Sequence, residues 1–168
     1  MPAGEAFVKG KPFLDKAIEF FERSVQLNSN FSVSTLYWGQ ALLCLGRTAD
    51  GLAFFQKLPE DVPGDILKLG GTTLAYAALG DTPRAEAGIA ALEGFMKTDL
   101  KERAINLLIL CRIMLGRQDA ALQLIEQDIS FRLPLMVYLP TEPMLKPLHA
   151  VPRFQELMRQ ILGEQTAN

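Results

Sequence analysis

The sequence predicts an all-α protein built as a row of helix–turn–helix units, and three observations carry that expectation. The first is a period. The phrases Leu45-Gly46-Arg47, Leu79-Gly80-Asp81 and Leu115-Gly116-Arg117 lie 34 and then 36 residues apart. The second is a set of columns in register with that period. Ala17, Gly51 and Ala85 are spaced by 34, as are Phe21, Phe55 and Ile89, and as are Ser24, Leu58 and Leu92. Ala121 and Ile125 continue the first two columns. The third is the weakness of strand signals. The apolar stretch 133–139 reads as extended, but Pro134 and Pro140 frame it.

Each turn has a physical reason. Gly46, Gly80 and Gly116 follow apolar helical runs, where a left-handed residue closes a helix at least cost. The next helix then starts quickly. Thr82 is the expected N-cap and Pro83 a good first helical residue, and Thr48 caps the equivalent helix before it. The small column lets two helices approach, and the large apolar residue one turn later fills the groove between them. The predicted helices run over 13–27, 32–45, 48–58, 64–79, 83–96, 100–115 and 118–128.

Composition bounds the function. The chain has 168 residues, 49% of them hydrophobic, and a net charge of −2, which excludes disorder and gives no footprint for nucleic acid. Only two cysteines, Cys44 and Cys111, exclude a disulfide scaffold; both sit in apolar helical stretches and read as small buried hydrophobes. No apolar run is long enough for a membrane helix, and residues 1–11 lack the core of a signal peptide. A cytoplasmic protein forming a single domain over 1–168 is expected, with repeats over 12–128 and a tail over 129–168.

At this point the chain resembles the tetratricopeptide repeat family. Trp38-Gly39, Leu42, Gly51, Phe55 and Pro63 match one whole unit. Tyr76, Ala85 and Ile89 carry the second, and Ala121 and Ile125 a third, in which Arg112 stands where the family has an aromatic. The resemblance implies antiparallel helix pairs, A and B, stacked in a right-handed superhelix. Residues 13–27 resemble a B helix with only 1–12 left for its partner. Either the chain is an excerpt of a longer protein, or that short segment caps it.

The tail differs in kind. Pro134, Pro140, Pro143, Pro147 and Pro152 fall within 19 residues and make up half of the ten prolines. Phe154, Leu157, Met158, Ile161 and Leu162 then follow at helical spacing. The tail therefore reads as an extended, turn-rich strap leading to a capping helix over the 118–128 helix. The phrase running from Glu142 to Leu157 resembles the end of repeat regions attached to bacterial adenylate cyclases, kinases and transcriptional activators. Val151 stands where those have an Asp, which removes an acidic cap.

Catalysis needs convergent polar groups, and few are present. His149 is the single histidine and lies in the strap. No spacing of His or Cys suits a metal, and no cofactor is expected. Gly70-Gly71 lacks the Lys-Ser/Thr of a phosphate loop. It either permits close helix packing or weakens its helix by about 1 kcal/mol per glycine. Ser32 and Ser34 have no base nearby in sequence. Glu60 and Asp61 lie between two prolines and read as a solvated turn. An enzyme is not expected.

The expected function is a protein-interaction module. The resemblance implies a concave groove lined by A helices, whose faces here carry Val33, Leu36, Tyr37, Gln40, Leu74, Arg103, Asn106 and Leu110. Tyr37, Gln40, Leu74, Asn106 and Leu110 are the candidate partner-binding residues, while Trp38 and Tyr76 read as core. The set lacks the Lys, Asn and Arg side chains with which some family members clamp a C-terminal carboxylate. The partner would be a protein or peptide segment, including another domain of the same polypeptide, with no nucleic acid and no membrane. The resemblance implies the regulatory or sensory region of a larger bacterial signalling protein or transcriptional activator; a free-standing scaffold or adaptor is the alternative.

Overall fold

The computed structural model describes residues 32–58, 66–131 and 142–162, together with helical positions 16, 19, 20 and 23. The described elements are all helical. They are α1 (Ser32–Cys44), α2 (Thr48–Gln56), α3 (Leu67–Leu79), α4 (Thr82–Glu93), a 3-10 turn (Gly94–Lys97), α5 (Lys101–Met114), α6 (Gln118–Phe131), a 3-10 helix (Pro143–Leu148) and α7 (Pro152–Leu162). Lys16, Glu19, Phe20 and Arg23 are exposed. Ala17, Phe21, Ser24, the turn with Glu60 and Asp61, and the stretch 133–139 lie outside the described residues.

The three predicted turns close in the same way. Gly46, Gly80 and Gly116 have φ of 74°, 75° and 72°. In each, the glycine N–H donates three residues back, to Leu43, Ala77 and Ile113. The next N–H donates five residues back, from Arg47 to Leu42, Asp81 to Tyr76 and Arg117 to Arg112. This pair of bonds satisfies carbonyls that the helix end leaves free. The new helix begins at once, because Gly51, Ala85 and Ala121 donate to the carbonyls of Arg47, Asp81 and Arg117 at 2.9, 3.0 and 3.1 Å.

The capping residues differ from expectation. Asp81, not Thr82, caps α4: its carboxylate accepts from the Arg84 N–H at 3.2 Å and pairs with the Arg84 guanidinium at 2.6 Å. The aspartate lies one residue earlier and brings a full negative charge to the positive end of the helix. Thr48 is the first helical residue of α2, and Arg47 before it makes no side-chain cap.

Joined by such short turns, α1 and α2, α3 and α4, and α5 and α6 pack side by side. Successive pairs meet through α2 with α3 and α4 with α5, while α1 touches α3 and α3 touches α5. Glycines set these distances. A β-carbon at Gly39 or at Gly71 would overlap the Phe55 ring, and one at Gly70 would overlap Leu107. The Gly70-Gly71 pair therefore serves close packing, bringing α3 against α2 on one side and α5 on the other. Gly88 performs the same service for α4 against Thr73. The buried Thr73 hydroxyl is satisfied by donating to the Leu69 carbonyl at 2.7 Å.

Two aromatic positions do not join the core as expected. Tyr76 is half-buried; its hydroxyl accepts from Gln56, and the Arg84 guanidinium lies 4.7 Å from its ring centre. Trp38 is also half-buried, its ring 4.4 Å from that of Phe54. At the register position of Tyr76 in the next unit, Arg112 instead pairs with Glu93 of α4 at 2.7 Å.

The tail is helical where it is described. Residues 143–148 form a 3-10 helix within what was expected to be an extended, turn-rich strap. Glu142 starts it by accepting from the Met144 N–H at 3.2 Å, and Pro143 suits its first turn. Met144, Leu145 and Leu148 are buried against the core. On α7, Phe154, Leu157 and Met158 are buried, and the helix packs on α6. Arg153 forks onto Glu126 with bonds of 2.7 and 2.6 Å, which holds the Glu126 carboxyl below its usual range.

Two outcomes follow for stability. Gly71→Ala should cost about 1–3 kcal/mol through overlap with Phe55, and in the Phe55→Leu background that cost should shrink; urea unfolding of the four proteins measures the difference. Truncation before Pro152 removes three buried side chains worth about 1.5–3 kcal/mol each. The shortened chain should melt lower and self-associate, which calorimetry and light scattering would register.

Candidate partner-binding groove

The candidate residues come from α1, α3 and α5. Gln40, Leu74 and Leu110 share one register column, at spacings of 34 and 36. All three are buried, with relative exposures of 4%, 0% and 1%. Leu74 and Leu110 therefore do not line an open groove; both belong to the hydrophobic core. Leu74 lies one turn after Gly70 on the face of α3 where Leu107 of α5 closes in. Helix α5 packs on α3 and also on the 3-10 helix Pro143–Leu148, whose apolar side chains enter the same cluster. Tyr37 is 38% exposed and Asn106 is half-buried, so of the five only these two reach solvent. Leu36 is half-buried against the core and Arg103 is exposed. The Val33 side chain lies outside the described residues.

Helix α1 carries two polar atoms that lack hydrogen-bond partners among the described residues. They are Gln40 Oε1 and Trp38 Nε1. An unmet buried donor or acceptor costs about 1–3 kcal/mol. Gln40 is thus a buried amide in an apolar column, in contrast to the solvent-facing group expected of it.

The strap adds an acid that sequence reasoning passed over. Glu142 is half-buried. Burial pushes its carboxyl above the usual carboxylate range, and the bond from the Met144 N–H only partly opposes this. Its charge also reaches α1. Burial, with a contribution from Glu142, pushes the Cys44 thiol up to about 12. Cys111 on α5 is likewise pushed up to about 12 by burial, against the opposing charge of Arg112. Both thiols stay protonated at neutral pH and act as apolar packing groups. The sequence signal for Glu142 was an acid directly before a proline, a helix-starting pair.

His149 is exposed, with its ring 5.7 Å from that of Phe154 and its carbonyl accepting from the Gln155 side chain. Among the described residues no group of three or more His, Cys, Asp or Glu side chains is placed to hold a metal ion. No helix there is long and apolar enough to cross a membrane.

Comparison with family models, curated proteins and solved structures returned no match.

The raised Glu142 carboxyl sets a pH dependence. A group harder to ionise in the fold contributes stability that is full below its unfolded value and is lost as pH rises through its folded value. Glu142→Gln keeps an oxygen for the Met144 N–H and removes the charge. The variant should melt above the parent near neutral pH, and the gain should vanish in acid below the ordinary carboxylate range; paired thermal melts at the two pH values check both statements.

Proposed function

We propose that this chain is a protein-interaction module of the tetratricopeptide kind, its antiparallel helix pairs stacked in a right-handed superhelix. In this reading it is the regulatory or sensory region of a larger bacterial signalling protein, transcriptional activators included. The observation that supports it most is the threefold recurrence of one turn. The same left-handed glycine and the same two closing bonds occur at Gly46, Gly80 and Gly116, and a small residue, Gly51, Ala85 or Ala121, opens each next helix. An array built that way presents a continuous face of first helices to a partner.

The partner is a protein or peptide segment, and another domain of the same polypeptide is one such segment. Neither catalysis nor a cofactor enters this reading. Two buried, protonated thiols suit a reducing cytoplasmic setting. Contact centres on Tyr37 and Asn106, the two candidate residues with access to solvent. An amphipathic ring and an amide are suited to a peptide backbone.

Cross-linking from the exposed lysines, followed by mass spectrometry, would identify the partner and the face it uses. Tyr37→Ala combined with Asn106→Ala should then weaken that contact at least tenfold, about 1.4 kcal/mol, while the far-ultraviolet circular dichroism stays that of the parent. Unchanged affinity in calorimetric titration would move the binding surface off this face. A winged helix, cyclase or kinase encoded in frame ahead of Met1 would support the signalling assignment.

A further inference from the structure

We infer that the first helix pair, α1 and α2, opens away from α3 as a unit while the rest of the row stays closed, and that the buried amide of Gln40 is what loosens that joint. The inference needs no partner and goes beyond the reading of the chain as a binding module. It assigns the row one built-in place at which it changes shape.

The register of the repeat puts Gln40 in the joint. On α3, Gly70 is the residue on which Leu107 of α5 closes, and Leu74 follows Gly70 by one turn. One unit earlier the same positions are held by Leu36 and Gly71, and Gln40 follows Leu36 by one turn. Helix α1 packs on α3, and Leu36 is half-buried against the core. Gln40 therefore stands in the α1–α3 joint where Leu74 stands in the α3–α5 joint. Both side chains are buried. Leu74 is apolar, whereas Gln40 brings an amide whose Oε1 has no hydrogen-bond partner among the described residues. That oxygen regains its bonds in water, so closing the joint carries a penalty that opening removes.

The next pair is built differently. Its buried Thr73 donates to the Leu69 carbonyl, and Glu86 of α4 lies against the Arg117 guanidinium. Helix α1 instead holds a second unmet atom, Trp38 Nε1. The ties across the joints differ as well. Arg112 with Glu93 and Arg117 with Glu86 join the third pair to the second through charged groups. Between the first pair and the second, Gln56 donates to the Tyr76 hydroxyl at 3.4 Å, a long bond between neutral groups. Inside the first pair the contacts are complete: Phe55 lies against Gly39, the Trp38 ring lies against Phe54, and the turn at Gly46 closes with its own backbone bonds. All of these persist when the pair leaves α3, so it moves as one body.

The two native cysteines report the opening. Cys44 is on α1 and Cys111 on α5, and both are buried. In the full chain under native conditions, N-ethylmaleimide should modify Cys44 about tenfold faster than Cys111. Gln40→Met keeps the length of the side chain and its helix propensity while removing the amide. It should slow the labelling of Cys44 about tenfold and that of Cys111 less. Equal rates for the two cysteines in the parent, or equal slowing of both by Gln40→Met, would make the opening global and overturn the inference. A Cys44 rate that ignores the substitution would assign the labelling to fraying at the end of α1 and overturn it too. If Gln40→Met does not fold, hydrogen exchange of the parent decides. Buried amides of α1 and α2 should exchange together, about tenfold faster than those of α5; equal protection, or exchange of α1 without α2, overturns the inference. No partner is needed for these measurements, so their failure is separate from that of the Tyr37 and Asn106 test.

Discussion

The fit of one phenylalanine between two glycines governs the first half of this fold. Phe55 on α2 is fully buried, and its ring occupies the space where a β-carbon of Gly39 or of Gly71 would stand. The ring therefore touches the backbones of both α1 and α3. Interiors are packed too densely for such a ring to find room elsewhere. The separation of α1 from α2, and of α2 from α3, follows from the thickness of that ring. Gly70, next to Gly71, then lets Leu107 of α5 close on the opposite side of α3. Two adjacent glycines, each costly to a helix taken alone, are what bring α3 into the centre of the row.

The helix ends work on a different principle. Each turn is closed by local hydrogen bonds that need only a residue at ease with positive φ. These turns make each pair antiparallel, but they do not determine how the pairs meet. That task falls to side chains from different units, and it is met differently along the chain. Where one unit places the Tyr76 hydroxyl against Gln56 of α2, the next places Arg112 against Glu93 of α4. Arg117 in the following turn pairs with Glu86 of α4. Exposed pairs of this kind contribute at most about 1 kcal/mol each, so they align the units more than they stabilise them.

What the sequence made legible has the same division. The turns at Gly46, Gly80 and Gly116, the small and large columns, and the helices between them could be read because their causes lie within a few residues. Asp81 was overlooked as a cap for a local reason: Thr82 and Pro83 offered a second plausible start one residue later. Leu74 and Leu110 were misplaced for a non-local one. Periodicity tells which residues share a face, but it does not tell what covers that face. Helix α5, which meets α3, begins more than twenty residues after Leu74, and the 3-10 helix that meets α5 begins more than thirty residues after Leu110. Glu142 went unread because a carboxylate in a proline-rich stretch gives no sign that it will be buried.

The glycines around Phe55 also bear on how such an array can grow. In the register of the repeat, the positions of Gly39, Phe55 and Gly71 are taken one unit later by Thr73, Ile89 and Leu107. The large central side chain shrinks as its neighbours enlarge, so the bulk at the joint is carried by different positions. Each joint is thus matched to one pair of neighbours. Duplicating or transposing a unit would set Phe55 against Thr73-type neighbours, or Ile89 between bare glycines, producing overlap in one case and a void in the other. The order of the units is written into their contact surfaces, and the lineage of this protein would be free to change their outward side chains long before it could change their sequence along the row.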